Sequence, residues 1–302
     1  MIKKILYLNA IIVFILLILY NRIVFSGAQK GIELIMCTIV PSIFPFLIIS
    51  GIFSATNIIR FTGHLLYPII HKTLGLSSAS GYIILIGFFC GYPIASKVCS
   101  ELVESGQISV NEGNYLLTFI NNPSPSFVFT YISGILLHNT SSNTKLAIAI
   151  YTPVILTAFI INPFVRKNFN YSSLSLHDNT PDNYIDFEKI FDSSLITMIH
   201  ISEYVLIFSI LCEFIKLIPC RICSIVISAL LEITNGTYVI GISTLPYKIR
   251  YCAIIFFTSL GGLSASLQVK SVIRCSSLSI KWYIAGKLLS STLTLLLIMI
   301  FL

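Results

Sequence analysis

Five short polar motifs interrupt the apolar runs of this chain. They are Pro41-Ser42-Ile43-Phe44-Pro45, Gly91-Tyr92-Pro93, Asn121-Asn122-Pro123-Ser124-Pro125, Glu232-Ile233-Thr234-Asn235-Gly236 and Ser259-Leu260-Gly261-Gly262-Leu263-Ser264. Proline and glycine at such places end or kink a helix and free backbone N–H and C=O groups. Lipid offers those groups no partner, so the broken backbone must be buried in protein or line a wet cavity. A single break reads as a kink satisfied by neighbouring Ser, Thr or Asn side chains. A set of them at one depth points to a polar cavity near the membrane midplane.

The chemistry such a cavity offers is anion binding. Half-helix N-termini at Ser42, Pro93, Ser126 and Leu263 present positive dipole ends that suit a carboxylate or phosphate. Asn121, Asn122, Ser124, Ser126, Thr234, Asn235, Ser264 and Gln268 supply directional hydrogen bonds, while Gly91, Tyr92, Gly261 and Gly262 shape the breaks. Lys97 stands one turn beyond Pro93, where it either meets an anion or pairs with Glu101 four residues on. Glu232 is the carboxylate expected at depth, as a proton or cation relay, a substrate contact, or a helix-end residue paired with a basic neighbour. Glu203 is a second case of the same kind. All of these are candidate substrate-binding positions.

Charge spacing sets the depth. Lys30 precedes Pro41, Arg221 precedes Glu232 and Arg250 precedes Gly261 by 11 residues each. At 1.5 Å per residue, about 10–12 helical residues cover half of a hydrocarbon core. Gly91-Tyr92-Pro93 opens a helix with proline in its first turn, and Gly106 is a C-terminal stop. Ser109-Val110-Asn111-Glu112 is a capping box that starts the next helix. This predicts a re-entrant hairpin whose two ends, Gly91-Tyr92-Pro93 and Asn121-Asn122-Pro123, return to one depth.

The elements that hold these motifs follow from composition. The chain is 56% hydrophobic and only 10% charged, with a mean hydropathy of +0.91. Soluble domains carry about 25% charged residues, so the bilayer is the solvent. The net charge of +7 comes from basic residues at segment ends, where they anchor spans, and does not indicate nucleic acid. The expected fold is an all-α polytopic membrane protein with about eight to ten hydrophobic segments, including discontinuous helices and re-entrant hairpins. Residues 1–30 form an N-terminal span, retained with Lys3 and Lys4 cytoplasmic. Residues 31–165 form a first membrane half, 166–189 a polar connector and 190–302 a second half. Basic residues on both sides of 251–269 suit a re-entrant segment there. Gly91–Val98 can be laid on Gly262–Val269, either as a trace of two inverted repeats or by chance. Cys220-Arg221-Ile222-Cys223, lacking a second pair, reads as packing before zinc or redox chemistry. Without HExxH, Walker A, GxSxG or GxGxxG, the chain is expected to be neither an enzyme nor an ATP-driven pump, with no cofactor and no bound metal.

Val40-Pro-Ser-Ile-Phe-Pro-Phe46, Gly91-Tyr-Pro-Ile-Ala-Ser-Lys97 with Ser100-Glu-Leu102, Phe119-Ile-Asn-Asn-Pro-Ser-Pro-Ser126, Leu230-Leu-Glu-Ile-Thr-Asn-Gly236 and Gly261-Gly-Leu-Ser264 with Gln268-Val269 together resemble a known family. It is the sporulation integral membrane protein YlbJ (SpoVV) family of nucleoside-recognition Gate domain proteins. The motifs follow in order across residues 31–270; the one departure is Ala95, near which a second glycine is expected. The resemblance implies a Gate-like hairpin in the first half and an integral multi-pass protein of the outer forespore membrane. It implies transport of dipicolinic acid, a planar dianion. The implied partners are that anionic substrate, the lipid bilayer, and a second copy or other sporulation membrane proteins. Two other readings stand beside it: a non-transporting assembly protein, and a nucleoside transporter.

Overall fold

The computed structural model describes residues 7, 11, 14–54, 56, 58–138, 143–169 and 186–301, and no strand occurs among them. Helix α1 (Asn21–Leu34) runs through a π-helical turn (Ile35–Ile39) into α2 (Val40–Ser54). Pro41 and Pro45 lack the N–H an unbroken helix would donate. The π turn just upstream, closed by the Val40 N–H on the Ile35 carbonyl, absorbs the misfit. The arms 21–39 and 43–53 therefore meet at 51° without parting. The half-helix N-terminus expected at Ser42 is absent, because a widened turn bends the helix where the prolines would otherwise end it.

Helices α3 (Ile58–Leu74) and α4 (Ser78–Phe89) fold back on each other, bent by 96° at a corner that Gly75 turns with φ +68. The hairpin follows as α5 (Ile94–Glu104) and α6 (Val110–Leu117), joined through Gly106 at φ +73. Ser109 accepts from the Glu112 N–H at 3.2 Å, as a capping box requires. The Glu112 carboxylate reaches elsewhere: Ser77 N–H and Ser80 Oγ donate to its Oε1 at 2.6 and 2.5 Å, so it caps α4. One buried acid thereby ties the hairpin to the preceding helix.

Then come α7 (Phe127–Leu136, wound as a π-helix) and α8 (Asn143–Val165), and beyond the connector α9 (Phe187–Ile215), α10 (Arg221–Leu231) and α11 (Ile233–Gly241). The chain ends with α12 (Tyr247–Leu260), α13 (Gly262–Val272) and α14 (Ile280–Phe301). Most of the 166–189 connector and much of the first span lie outside the described residues. Among those described, α8, α9, the α12–α13 pair and α14 are long and apolar enough to cross a membrane, and the two bent pairs raise the number from 4 to 6. The apolar stretches from Val110 to Leu136 and from Arg221 to Gly241 are each divided into shorter helices by their polar motifs. The 251–269 segment, read as re-entrant from its flanking charges, lies in a helical stretch of 26 residues, long enough to cross.

Helices α1 and α2 lie along α9, and α14 runs among α6, α8, α12 and α13. One apolar cluster joins α4–α6 to α9 and α13; a second joins α7, α8, α10–α12 and α14. Cys220 and Cys223, expected to pack quietly, instead form an exposed disulfide at the start of α10.

Candidate functional site

Each helix break is clamped to a partner. Gly91 adopts φ +77, and a Cβ there would lie 2.6 Å from the Asn122 carbonyl oxygen and 3.0 Å from the Ser124 nitrogen. Only glycine permits both the conformation and the approach. The Tyr92 N–H donates to the Asn122 carbonyl at 3.1 Å, so the two tips of the hairpin stand side by side. Ser96 Oγ donates to Asn121 Oδ1 at 2.6 Å and links α5 to the end of α6. The Asn121 and Asn122 amides donate to the Leu117 and Phe119 carbonyls at 3.2 and 2.8 Å. Ser124 Oγ accepts the Phe127 N–H at 3.2 Å, and Tyr151 Oη donates to the Pro123 carbonyl at 3.0 Å. Side chains thus supply partners to backbone that lipid would leave bare.

The second pair joins the α10–α11 and α12–α13 breaks. Glu232 leaves helical geometry at φ −145, ψ 123, and its two carboxylate oxygens accept the Thr234 and Asn235 N–H groups at 3.0 and 2.7 Å. It is an N-cap for α11, favoured by the positive end of that helix. The side chain is buried, and no basic group forms a salt bridge with it among the described residues. The alternative that Glu232 pairs with a basic neighbour is therefore not what the fold contains. Tyr131 Oη donates to the Thr234 carbonyl at 2.9 Å, and Asn235 donates to Ser209 Oγ on α9 at 2.8 Å. Gly261 and Gly262 adopt φ +87 and +73, and a Cβ on Gly262 would lie 3.3 Å from the Leu230 carbonyl oxygen. The start of α13 thus abuts the end of α10. Gln268 Nε2 donates to Ser264 Oγ at 3.2 Å, one turn apart on α13.

Both pairs border one cavity of about 50 Å³. Tyr92, Pro123 and Ser124 come from the first half, and Glu232, Thr234, Ser264 and Gln268 from the second. Cys90, Ile39, Ile43, Phe127, Ile201 and Val205 add apolar wall. Glu232 is the charged residue in this lining. Several predicted positions lie behind the wall. Asn121, Asn122 and Asn235 are occupied with internal hydrogen bonds, while Gly91, Pro93, Gly261 and Gly262 contribute backbone turns. Ser126 precedes α7 without capping it. The Ser42 side chain lies outside the described residues. Lys97 neither faces this cavity nor closes a salt bridge on Glu101. It donates to Ser193 Oγ and Thr197 Oγ1 of α9, both at 2.9 Å. The apolar wall carries no sequence signal, since Ile201 and Val205 differ from other α9 residues only in which way they face.

A second buried charge stands close by. Lys287 on α14 is 6% exposed, donates to the Ser259 carbonyl at 3.1 Å, and sits 5.8 Å from the centre of the Tyr92 ring. Its signal in the sequence is a lone charge in the 282–302 apolar run.

No protein-family model matches the chain, and no solved structure is significantly similar to it. The chain is similar to the sporulation integral membrane protein YlbJ of Bacillus subtilis (strain 168), with 20% identity over 314 aligned positions covering 91% of this chain and 77% of that protein. The similarity extends over most of both chains and agrees with the motifs noted in the sequence.

Proposed function

We propose that this chain is a sporulation membrane transporter that moves a small organic anion, dipicolinic acid, across the outer forespore membrane. The similarity to a sporulation integral membrane protein supports a membrane role in sporulation. The observation that carries transport is the convergence of two pairs of broken helices, one from each half, on a single cavity lined by both polar and apolar side chains. Discontinuous helices around a site at depth are a recurrent transporter plan. The N-terminal ends of α5 and α13 and the hydroxyls of Ser124 and Ser264 suit carboxylate oxygens. At about 50 Å³ the cavity holds a few waters. A pyridine dicarboxylate needs more room, so on this reading transport requires the breaks to part.

Uptake of radiolabelled dipicolinate by proteoliposomes containing the purified protein tests this reading, with dipicolinate content of spores lacking the protein as the cellular counterpart. Saturable uptake and depleted spores are expected; absence of both would refute it. A second reading has its own support. Asn121, Asn122 and Asn235 already have internal partners, as in an assembly protein whose breaks serve packing. There, substitution of Asn121, Asn122 or Glu232 would alter abundance and leave flux per molecule unchanged. Labelled nucleoside in the same vesicles tests the nucleoside reading.

A further inference from the structure

Among the described residues, Lys287 has no counter-charge. It sits mid-helix in α14, 6% exposed, in a segment long and apolar enough to span. Its ammonium donates to the Ser259 carbonyl at 3.1 Å, and among the described residues no carboxylate lies within salt-bridge distance. An ammonium has three donors, and burying it unpaired costs several kcal/mol. The buried carboxylate of the cavity, Glu232, is already engaged by the Thr234 and Asn235 N–H groups. Among the described residues, the buried Lys287 amine thus has a carbonyl as its hydrogen-bond partner and no carboxylate.

Its position says where a carboxylate would come from. Lys287 lies beside the α12–α13 break, where a Cβ on Gly261 would be 3.9 Å from its Cε. It also lies 5.8 Å from the centre of the Tyr92 ring, and Tyr92 is a wall of the cavity. We propose that Lys287 is the basic group that binds a carboxylate of the transported anion, with Tyr92 as the partition that moves aside to admit it. This assignment rests on the organic-anion reading above. In this structure the Ser259 carbonyl, in the last turn of α12, holds the amine in reserve. The competing role is structural: a lysine capping the C-terminal end of α12 and nothing more.

The test uses full-length protein in proteoliposomes with pyridine-2,6-dicarboxylate as probe, comparing wild type, Lys287→Gln and Lys287→Arg. Membrane abundance and melting temperature in detergent are recorded alongside. K287Q is expected to raise KM by about tenfold or more, the scale of a lost charge-assisted hydrogen bond, and K287R to restore most of it. Lys287→Met, unbranched and neutral, carries the comparison if K287Q fails to reach the membrane. Unchanged KM in a folded neutral variant overturns the assignment, as does a loss confined to abundance and turnover. If wild type itself takes up no organic anion, the transport reading falls and this inference falls with it. Wild-type uptake with an indifferent K287Q removes this inference alone.

Discussion

Both carboxylate oxygens of Glu232 accept backbone N–H groups, so its structural and electrostatic roles can be separated by substitution. Glu232→Ala leaves the Thr234 and Asn235 N–H groups buried without acceptors, a cost of about 1–3 kcal/mol, read as a lower melting temperature in detergent. Glu232→Gln keeps an accepting oxygen and removes the charge. Its amide nitrogen cannot accept the second N–H, so it is expected to melt between wild type and Glu232→Ala while losing most dipicolinate flux; wild-type flux in E232Q would reduce the carboxylate to a cap. Gly91 and Gly106 form a second contrast. Both have positive φ, +77 and +73, but only at Gly91 would a Cβ meet the Asn122 carbonyl, at 2.6 Å; at Gly106 nothing lies within 4 Å. Gly106→Ala should cost about 1–2 kcal/mol from conformation alone. Gly91→Ala should cost clearly more and separate the hairpin tips, visible as lower membrane abundance. Equal costs would mean that the tips are not held together.

At the scale of elements, close backbone approach holds the broken helices in place. Gly236 of α11 lies against the Ala229 backbone of α10, and Gly286 of α14 lies against the Thr118 backbone at the end of α6. Small residues at such crossings are how helices pack where lipid gives little apolar driving force. Gly286→Ala forces α14 off α6 at an overpacking cost of about 1–3 kcal/mol. Its expected signature is a lower melting temperature, together with reduced transport because Lys287, the next residue, moves with it. A variant as stable as wild type would contradict the packing. The same scale shows how proline reads differently by context. Pro93 and Pro123 stand at true breaks because αL Gly91 and the Asn121-Asn122 turn accompany them. Pro41 and Pro45 only bend a helix, because a π turn upstream takes up the misfit.

For the molecule as a whole, both halves converge on a cavity of about 50 Å³, so on the transport reading substrate access requires that cavity to widen. Single cysteines replacing Ser124 or Ser264 should react with a water-soluble thiol reagent, and dipicolinate should slow the reaction several-fold; equal rates with and without it would move the substrate site elsewhere. The sequence by itself determined the solvent of this chain, its helical class, the five places where helices are disturbed, and the pairing of Gly91-Tyr92-Pro93 with Asn121-Asn122-Pro123. Those are local matters of hydropathy, proline and glycine geometry, and a turn short enough to fold back on itself. Only the tertiary structure decided which polar side chains face the cavity and which serve the backbone. Asn121 and Ser124 are alike in composition and neighbourhood, yet one is consumed by Ser96 and the Leu117 carbonyl while the other lines the wall. It likewise turned Lys97 toward α9 and set Lys287 beside Tyr92, 195 positions earlier in the chain. Facing is a property of helix rotation and long-range packing, and no spacing rule along the chain carries it.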